Sequence, residues 1–383
     1  QMKLKNLLYL AQLEEYDISR IEKWLKENPN KTVYENKKKL IWTSKAKIIY
    51  FLSHFIPLIT VLRLLSPLDN ISKAIFVNLA KIKLILFHPK LTTIVITGSW
   101  GKTTTKDYLF EIIKTKYQTV KTLENYNTLL GISKAVLKLP ISTQIFICEA
   151  GAYYPGDIKN ICRLVKPKIG VLTAVGPMHL ERFGSLENIL KTKMELAQSL
   201  PGDGLFLLPK SIDPKSFNLT VKNIIFFDNS EHIYKNIVKY FDIKNPPKNN
   251  IFATDHRLQI TQNGPITIID DSYNSNPAGF ELALKTLKAQ KVDQKILVTP
   301  GMIELGSLQF SENARLAKLA GHICDLVIIV GKTNQNSLLS GLKKTPAAVY
   351  TIDNLSETEK LLPSLYKGTS AVLFENDLGD QYF

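Results

Sequence analysis

The sequence predicts an α/β protein in three parts: a helical, basic N-terminal region, a central domain with a mostly parallel sheet, and a Rossmann-like C-terminal domain. At 383 residues the chain is too long for one ordinary domain, since domains average roughly 100 to 150 residues. After Pro89, short β-branched runs alternate with helical segments, which is typical of a parallel sheet covered by helices. We expect domains over 1–90, 91–247 and 248–383.

The composition is that of a globular protein. Hydrophobic residues make up 45% and charged residues 22%, which excludes collagen-like, coiled-coil and wholly disordered chains. Cys148, Cys162 and Cys324 are an odd number and lack the spacing of a zinc site or a disulfide framework. No stretch has the pattern of a cleavable signal. We therefore expect a cytoplasmic protein.

Residues 1–90 carry most of the positive charge. They hold 16 Lys/Arg against 7 Asp/Glu, and so supply +9 of the net +15. Apolar residues at three- and four-residue spacing predict one or two amphipathic helices over 4–27 and another helix over 71–87. Such a surface attracts anionic lipid, nucleic acid or phosphorylated small molecules without distinguishing them. The partners we expect are small-molecule substrates and not nucleic acid, with the chain a monomer.

The apolar run over 48–65 has three interpretations. Its 18 residues include His54, Pro57 and Arg63, so it barely reaches the length of a bilayer span. It is a spanning helix, a plain buried helix, or a helix that lies on a membrane or binds a partner. The lysines at 37–39 favour the third interpretation, which predicts peripheral association at the inner face of the membrane.

The central domain is expected to alternate strands and helices up to a linker over 244–250. The expected strands are 92–97, 144–149, 169–174 and 204–208, and the expected helices are 103–116, 156–165 and 186–199.

The C-terminal domain repeats this alternation. Its expected strands are 257–262, 266–271, 295–299, 326–330, 348–352 and 371–374, and its expected helices are 278–290, 308–322 and 355–365.

The strongest chemical signal is a nucleotide-binding P-loop over 91–105. A β-branched strand runs into Gly98-Ser-Trp-Gly-Lys-Thr-Thr104 and then into a helix. Glycines let backbone N–H groups approach a phosphate, Lys102 supplies positive charge, and the Thr103 hydroxyl suits Mg²⁺. A glycine turn with an incidental lysine is the alternative, but strand, loop and helix coincide here. The nucleotide contacts expected in this loop are Gly98, Ser99, Gly101, Lys102, Thr103 and Thr104.

The short GxxGKT spacing resembles the Mur ligase and folylpolyglutamate synthase superfamily, and further pieces follow in that family's order. The segment 122–131 resembles its Asn-rich loop, which implies that Asn125 contacts the nucleotide. Cys148-Glu-Ala-Gly-Ala152 resembles the segment whose glutamate binds Mg²⁺ and assigns that role to Glu149. An acid at the end of an apolar strand near a P-loop suits a cation bound to phosphates.

Two further residues inherit roles from this resemblance. Residues 176–185 are similar to a family loop whose histidine reaches a second metal, which points to His179. Standing alone, His179 would be an ordinary loop histidine. Lys193-Met-Glu195 matches a Lys-x-Glu whose lysine is carbamylated; a carbamate can coordinate Mg²⁺, whereas an ammonium cannot. Lys191 is the competing lysine, and the glutamate two residues after Lys193 favours Lys193.

The C-terminal domain contributes Asp270-Asp-Ser-Tyr-Asn-Ser-Asn-Pro277. This segment resembles, within the superfamily, the enzymes that add D-alanyl-D-alanine, and 300–306 is similar to their next loop. By the same resemblance Arg257 reaches the ATP phosphates. The residues expected to line the nucleotide side of the interdomain cleft are Tyr273, Asn274 and Asn276.

The resemblance covers roughly 91–375 and departs from the family in two places. The usual N-terminal domain, which holds a UDP moiety, is not recognisable in 1–90. The segment between Pro209 and Arg257 is shorter than in full-length members. Recognition of a UDP-sugar peptide is therefore not implied for this chain.

The resemblance implies an ATP-dependent carboxylate–amine ligase of peptidoglycan biosynthesis that forms an acyl phosphate and then an amide, with ATP and Mg²⁺ as cofactors. Lys102, His179 and Lys193 would be the catalytic residues. Thr103 and Glu149 would hold one Mg²⁺, and His179 with carbamylated Lys193 the other. Two alternatives stay open: a folylpolyglutamate-synthase-like or polymer-forming ligase, and a non-catalytic, membrane-associated scaffold.

Overall fold

The computed structural model describes residues 2–35, 37–123, 126–247, 258–272 and 275–382. Three layered parts follow one another along the chain, and each has its own buried apolar cluster.

The N-terminal region is helical. Its helices are α1 (Leu4–Leu13), α2 (Ile18–Glu27), α3 (Ser44–Leu52) and α4 (Leu58–Phe87). Asp17 caps α2 by accepting a hydrogen bond from the Arg20 backbone N–H at 3.2 Å, as expected for an aspartate before a helix. Leu8, Ile21, Ile49 and Val61 pack in a common core. The amphipathic helices expected over 4–27 are confirmed.

The apolar run over 48–65 is not one helix. It breaks between α3 and α4, where Pro57 precedes the first residue of α4 and offers a conformation suited to a helix start. The helix expected over 71–87 is the second half of α4, which continues through Pro67 for 30 residues. None of the helices in the described part of the chain combines the length and the low charge needed to cross a bilayer. The spanning interpretation is therefore not supported.

The central domain is a six-stranded sheet with helices on both faces. Its strands are β1 (Thr92–Thr97), β2 (Thr119–Lys121), β3 (Ile145–Glu149), β4 (Ile169–Leu172), β5 (Leu205–Pro209) and β6 (Asn223–Phe227). Its helices are α5 (Lys102–Ile113), α6 (Leu129–Leu137), α7 (Asp157–Val165), α8 (Leu180–Phe183), α9 (Leu186–Gln198) and α10 (Ser230–Tyr240). The strand order is β2-β3-β1-β4-β5-β6, and all the pairings are parallel. The carboxyl ends of β1, β3 and β4 therefore meet at one edge of the sheet.

The C-terminal domain is a second six-stranded sheet, in the order β11-β10-β9-β12-β8-β7. Its strands are β7 (Gln259–Asn263), β8 (Ile266–Asp271), β9 (Gln294–Thr299), β10 (Leu326–Val330), β11 (Ala348–Ile352) and β12 (Ser370–Glu375). Its helices are α11 (Pro277–Lys288), α12 (Gln309–Gly321), α13 (Gln335–Leu342) and α14 (Glu357–Leu365). The sheet is parallel except for β7, which pairs antiparallel with β8. This is the Rossmann-like arrangement that the sequence predicts.

The N-terminal region packs against both domains. Ala80 of α4 is fully buried in the core of the central domain. The Trp24 indole N–H donates to the Gln381 carbonyl oxygen at 2.9 Å, and the Tyr9 hydroxyl is hydrogen-bonded to the Asp380 carboxylate. The helices α1 and α2 are therefore joined to the segment that follows β12, and not only to their own core.

Candidate active site

The segment that follows β4 packs against the P-loop and fixes its position. Gly98 and Gly101 have positive φ values of 152° and 77°, a region that favours glycine. A Cβ on Gly98 would lie 2.0 Å from the Thr173 Oγ1 atom. The Ser99 hydroxyl donates to the Gly176 carbonyl at 3.1 Å and accepts from the Gly176 N–H at 3.0 Å. Ser99 therefore anchors the loop with its side chain.

Lys102 begins α5 and folds back over its own loop. Its Nζ donates to the Gly98 carbonyl at 2.9 Å and to the Ser99 carbonyl at 3.3 Å. Thr104 follows on the exposed side of the first helical turn. The predicted P-loop geometry is present: a strand, a glycine turn, a lysine and the N-terminus of a 12-residue helix, where backbone N–H groups and the helix dipole favour phosphate.

Thr103 and Glu149 meet at the carboxyl edge of the sheet, as the sequence predicts. The Thr103 hydroxyl donates to Glu149 Oε2 at 2.8 Å, and both side chains are buried. The Lys106 Nζ lies 3.5 Å from the same oxygen. Sequence reasoning missed Lys106, although its position four residues after Lys102 places both lysines on one side of α5. A buried carboxylate therefore faces a buried cation here.

Lys193 lies on α9 and is 5% exposed. Burial lowers the pKa of Lys193 to about 7; the positive charge of Lys102 acts in the same direction, while the Glu149 and Asp157 carboxylates oppose it. The structure thus brings Lys193 into the electrostatic neighbourhood of the P-loop lysine and the strand-end glutamate. Lys191, on the same helix, is exposed and pairs with Glu187 at 2.6 Å.

Glu195, the second half of the Lys-x-Glu motif, has a structural role. Its carboxylate accepts from the Gly156 N–H at 2.7 Å and from the Lys159 N–H at 2.9 Å. It therefore satisfies backbone donors at the N-terminus of α7, where negative charge is stabilising. This fixes α9 against α7.

His179 lies at the start of α8 with a positive φ of 55°. Its Nδ1 is hydrogen-bonded to the Glu304 carboxylate of the C-terminal domain, and its ring centroid lies 5.1 Å from that of Tyr153. Although burial opposes it, the hydrogen bond and charge of His179 hold the pKa of Glu304 below its usual value, with help from Arg20. Sequence reasoning missed Glu304, whose sequence neighbourhood gives no indication of a histidine partner 125 residues away.

The predicted nucleotide contacts of the C-terminal side are only partly described. Asn276 caps α11, because its Oδ1 accepts from the Gly279 N–H at 3.0 Å. Its side chain is buried beside the cleft that Ser275 and Glu304 also line. Asn125, Arg257, Tyr273 and Asn274 lie outside the described residues.

The donor set at Thr103 and Glu149 fits a hard divalent cation. Both groups offer oxygen atoms, which Mg²⁺ prefers, and both sit beside the P-loop. At the second predicted position the fit depends on modification, since an unmodified Lys193 offers no oxygen and His179 has one ring nitrogen engaged by Glu304. Within the part of the chain that the structure describes, clusters of three or more acidic, His or Cys ligands are absent.

The fold and the site define a nucleotide-binding α/β protein in which a P-loop domain is followed by a Rossmann-like domain facing it. Two family models match in the same order: the Mur ligase middle domain over 96–260 and the Mur ligase, glutamate ligase domain over 256–374. The chain belongs to the Mur ligase family.

Individual relatives and solved structures are similar to this chain. UDP-N-acetylmuramoyl-tripeptide–D-alanyl-D-alanine ligase of Bacillus subtilis is 28% identical in a 260-position alignment that covers 56% of this chain and 57% of the relative. The MurF ligase of Thermotoga maritima, solved in complex with ADP, is similar with a TM-score of 0.68 at 23% identity, covering 80% of each chain. E. coli FolC with ADP has a TM-score of 0.58 at 14% identity, covering 78% of this chain and 89% of FolC. The chain spans little more than half the length of the curated relatives it matches.

Proposed function

We propose that this protein is an ATP-dependent carboxylate–amine ligase that joins an amino acid or a dipeptide such as D-alanyl-D-alanine to a peptidoglycan precursor. The observation that carries the proposal is that the P-loop lysine, Lys102, and a buried Thr103–Glu149 hydrogen bond occur together at one edge of the sheet. A scaffold needs neither a buried carboxylate nor the buried Lys106 charge beside it. The substrate class is taken from the names of this chain's relatives.

Each residue has a distinct task in this reaction. A substrate carboxylate attacks the γ-phosphate of ATP, which gives an acyl phosphate and ADP, and an amine then displaces phosphate and loses a proton to form the amide. Lys102 leaves its loop carbonyls and faces the phosphate oxygens, where its charge stabilises the transferring group. Thr103 and Glu149 would hold Mg²⁺, which neutralises phosphate charge, and carbamylated Lys193 with His179 would hold a second ion.

The C-terminal domain contributes by enclosing the site. Glu304 contacts His179 across the cleft, so the two domains meet beside the reacting groups. An enclosed site keeps water from the acyl phosphate. By family resemblance, Arg257, Tyr273, Asn274 and Asn276 would contact the nucleotide from this side, and Asn125 from the central domain.

An ADP-release assay tests the proposal. ADP formation is measured with ATP, Mg²⁺, a panel of carboxylate acceptors and D-alanyl-D-alanine or single amino acids. Release that requires both an acceptor and an amine supports a ligase, and the accepted pair identifies its substrates. Activity with a pterin or a polymer acceptor would favour the folylpolyglutamate-synthase-like alternative, while the absence of amine-dependent release with every pair would contradict the ligase.

We also propose that this ligase works in the cytoplasm at an anionic membrane surface. Large apolar side chains are about half exposed or more along one side of α4, at three- and four-residue spacing that keeps them on one face. They are Leu64, Leu68, Ile71, Ile75, Leu79, Ile82 and Leu86. The outer side of α3 adds Ile48 and Phe51, and the surplus of +9 in this region complements anionic lipid.

Vesicle flotation tests this second proposal. Binding to vesicles with an anionic headgroup should exceed binding to neutral vesicles and should weaken as salt rises. An Ile71→Ser/Ile75→Ser variant should lose binding, whereas Lys191→Met, on a helix of the central domain, should keep it. Salt-independent binding to both vesicle types would contradict the electrostatic argument, and a concentration-dependent dimer without lipid binding would assign the apolar face to a second copy.

A further inference from the structure

A small cavity lies where the three parts of the chain meet. Its volume is about 230 Å³. Arg20 lines it from the N-terminal region, His179 and Arg182 from the central domain, and Glu304 from the C-terminal domain. A cavity of this size can hold an amino acid or a short peptide.

Two guanidinium groups converge on one carboxylate oxygen in this cavity. Arg20 Nη1 and Arg182 Nη2 each lie 3.5 Å from Glu304 Oε1. Charge-assisted hydrogen bonds are shorter, at about 2.7–2.9 Å. Glu304 therefore holds both arginines near the cavity without giving either a close bond, and a ligand carboxylate between them would offer both a better acceptor.

Both guanidinium groups are held in position by other partners. The Arg182 guanidinium lies 4.2 Å from the centroid of the Tyr153 ring, a cation–π contact. Arg20 Nε pairs with the carboxylate of Glu14, which is 4% exposed. Because the two side chains are only 24% and 15% exposed, little conformational freedom remains to be lost when a ligand binds.

The charge of the cluster favours a zwitterion. In the lining, Arg20 and Arg182 carry two positive charges, and Glu15, Glu304 and Asp377 carry three negative ones. This mixed lining gives no advantage to a polyanion such as a nucleotide, whereas an amino acid or peptide brings both signs. A short chain segment links the cavity to the P-loop. It begins at Gly176, whose carbonyl accepts a hydrogen bond from Ser99 of the P-loop, and ends at His179, which lines the cavity.

We propose that Arg20 and Arg182 bind the carboxylate of the incoming amine substrate, an amino acid or dipeptide, in this cavity. That the bound ligand is a substrate rests on the proposed ligase function, whereas binding of the ligand in this cavity is tested separately. It gives the N-terminal region a direct part in substrate binding, through one side chain of α2.

The test compares ligands that differ only in the carboxylate. D-alanyl-D-alanine and a panel of single amino acids are each paired with their carboxamides. Thermal stabilisation of the protein by each ligand is measured, and KM for the amine is measured wherever ADP release occurs. The variants are Arg182→Met and Glu14→Gln/Arg20→Met; in the double variant, Glu14→Gln avoids leaving a buried carboxylate without its Arg20 partner. Arg63→Met is the control, because Arg63 is an exposed arginine of the same region that pairs with Glu22.

In wild type and in Arg63→Met, at least one carboxylate ligand should stabilise the protein while its amide does not, and its KM should be at least tenfold lower than that of the amide. In both cavity variants this preference should fall to within about twofold, with KM for ATP unchanged. A preference that survives in the cavity variants, or equal stabilisation by every ligand and its amide in wild type, would overturn the inference. Carboxylate-dependent stabilisation without ADP release would instead overturn the ligase and leave the binding site standing.

Discussion

Replacing Lys193 with methionine should stabilise the protein at neutral pH in the absence of CO₂ and Mg²⁺. Methionine is similar in length and apolar, so it fills the buried site without bringing a charge into it. In the folded protein the pKa of Lys193 is about 7 because of burial and the nearby Lys102 charge, against an ordinary value of 10.5. The wild type therefore has a lower free energy of unfolding than the variant at neutral pH, because it must bury this amine.

The sign and size follow from proton binding. Between pH 7 and pH 10.5 the unfolded chain keeps a proton on Lys193 that the folded chain has released, so wild-type stability rises with pH. The difference between 10.5 and about 7 corresponds to roughly 5 kcal/mol below pH 7. Between pH 7 and pH 9 the advantage of the Lys193→Met variant should shrink by roughly 2 kcal/mol.

Urea denaturation at pH 7, 8 and 9 in CO₂-depleted, Mg²⁺-free buffer measures this difference. Lys191→Met is the matched control, because Lys191 lies on the same helix but is exposed, and its stability should run parallel to wild type. If the Lys193→Met and wild-type curves also ran parallel, the burial argument would be refuted.

The same lowered pKa bears on carbamylation. A neutral amine is the form that reacts with CO₂, and at pH 8 most of the Lys193 side chain is neutral if its pKa is about 7. With ¹³C-bicarbonate, a carbamate carbon signal should appear in wild type and in Lys191→Met and be absent from Lys193→Met. A signal that is unchanged in Lys193→Met would remove this lysine from the proposed metal site.

Three further outcomes are expected. Lys102→Ala should lower ADP formation roughly a hundred- to a thousandfold while changing the free energy of unfolding by less than about 0.5 kcal/mol, because its Nζ bonds carbonyls of its own loop; normal turnover would contradict the P-loop role. Glu149→Gln should destabilise the fold by roughly 3–5 kcal/mol by leaving Lys106 buried without its partner, and adding Lys106→Met should restore stability but not ADP formation; chemical denaturation and ADP release separate the two effects. Gly98→Ala should weaken ADP binding roughly tenfold, because its Cβ would meet Thr173, whereas Gly156→Ala, also at positive φ but with nothing within 4 Å, should bind ADP normally in calorimetric titration.

The central fold was predictable where apolar runs are long. The ends of β1, β3, β4 and β5 lie within two residues of their expected positions because their side chains are buried on both faces. The sequence analysis did not predict β2 and β6: β2 has three residues, and β6 is an edge strand with partly exposed side chains.

The helices missed by sequence analysis have a similar explanation. The sequence analysis does not predict α6, α8, α10 and α13, which lie in segments with only short apolar patterns. The sequence analysis treats 48–65 and 71–87 as separate segments, whereas α4 continues through Pro67. Pro67 is exposed, so the carbonyl that loses its partner faces solvent.

The site was predictable as far as one residue's chemistry and its position on a strand or loop determine it. Thr103 and Glu149 meet because parallel strands end at a common edge. Ser99 and Asn276 show where this reasoning ends. The sequence predicts that both contact the nucleotide, whereas in the structure their side chains are hydrogen-bonded to the backbone, Ser99 at Gly176 and Asn276 at Gly279 of α11. Lys106, Arg20 and Glu304 were missed because their partners are chosen by tertiary packing.

Glu304 makes the assembly of the three parts a single coupled equilibrium. One carboxylate contacts Arg20 of α2, Arg182 of α8 and His179, the N-cap residue of α8. The packing of the N-terminal helices and the packing of the C-terminal domain therefore share an energy term. Coupling of this kind is reciprocal: the effect of the first interface on the stability of the second equals the effect of the second on the first. A lipid surface that shifts α2 would therefore change the contact between Glu304 and His179. A ligand that moves the C-terminal domain would likewise change the contact between Glu304 and Arg20 of α2.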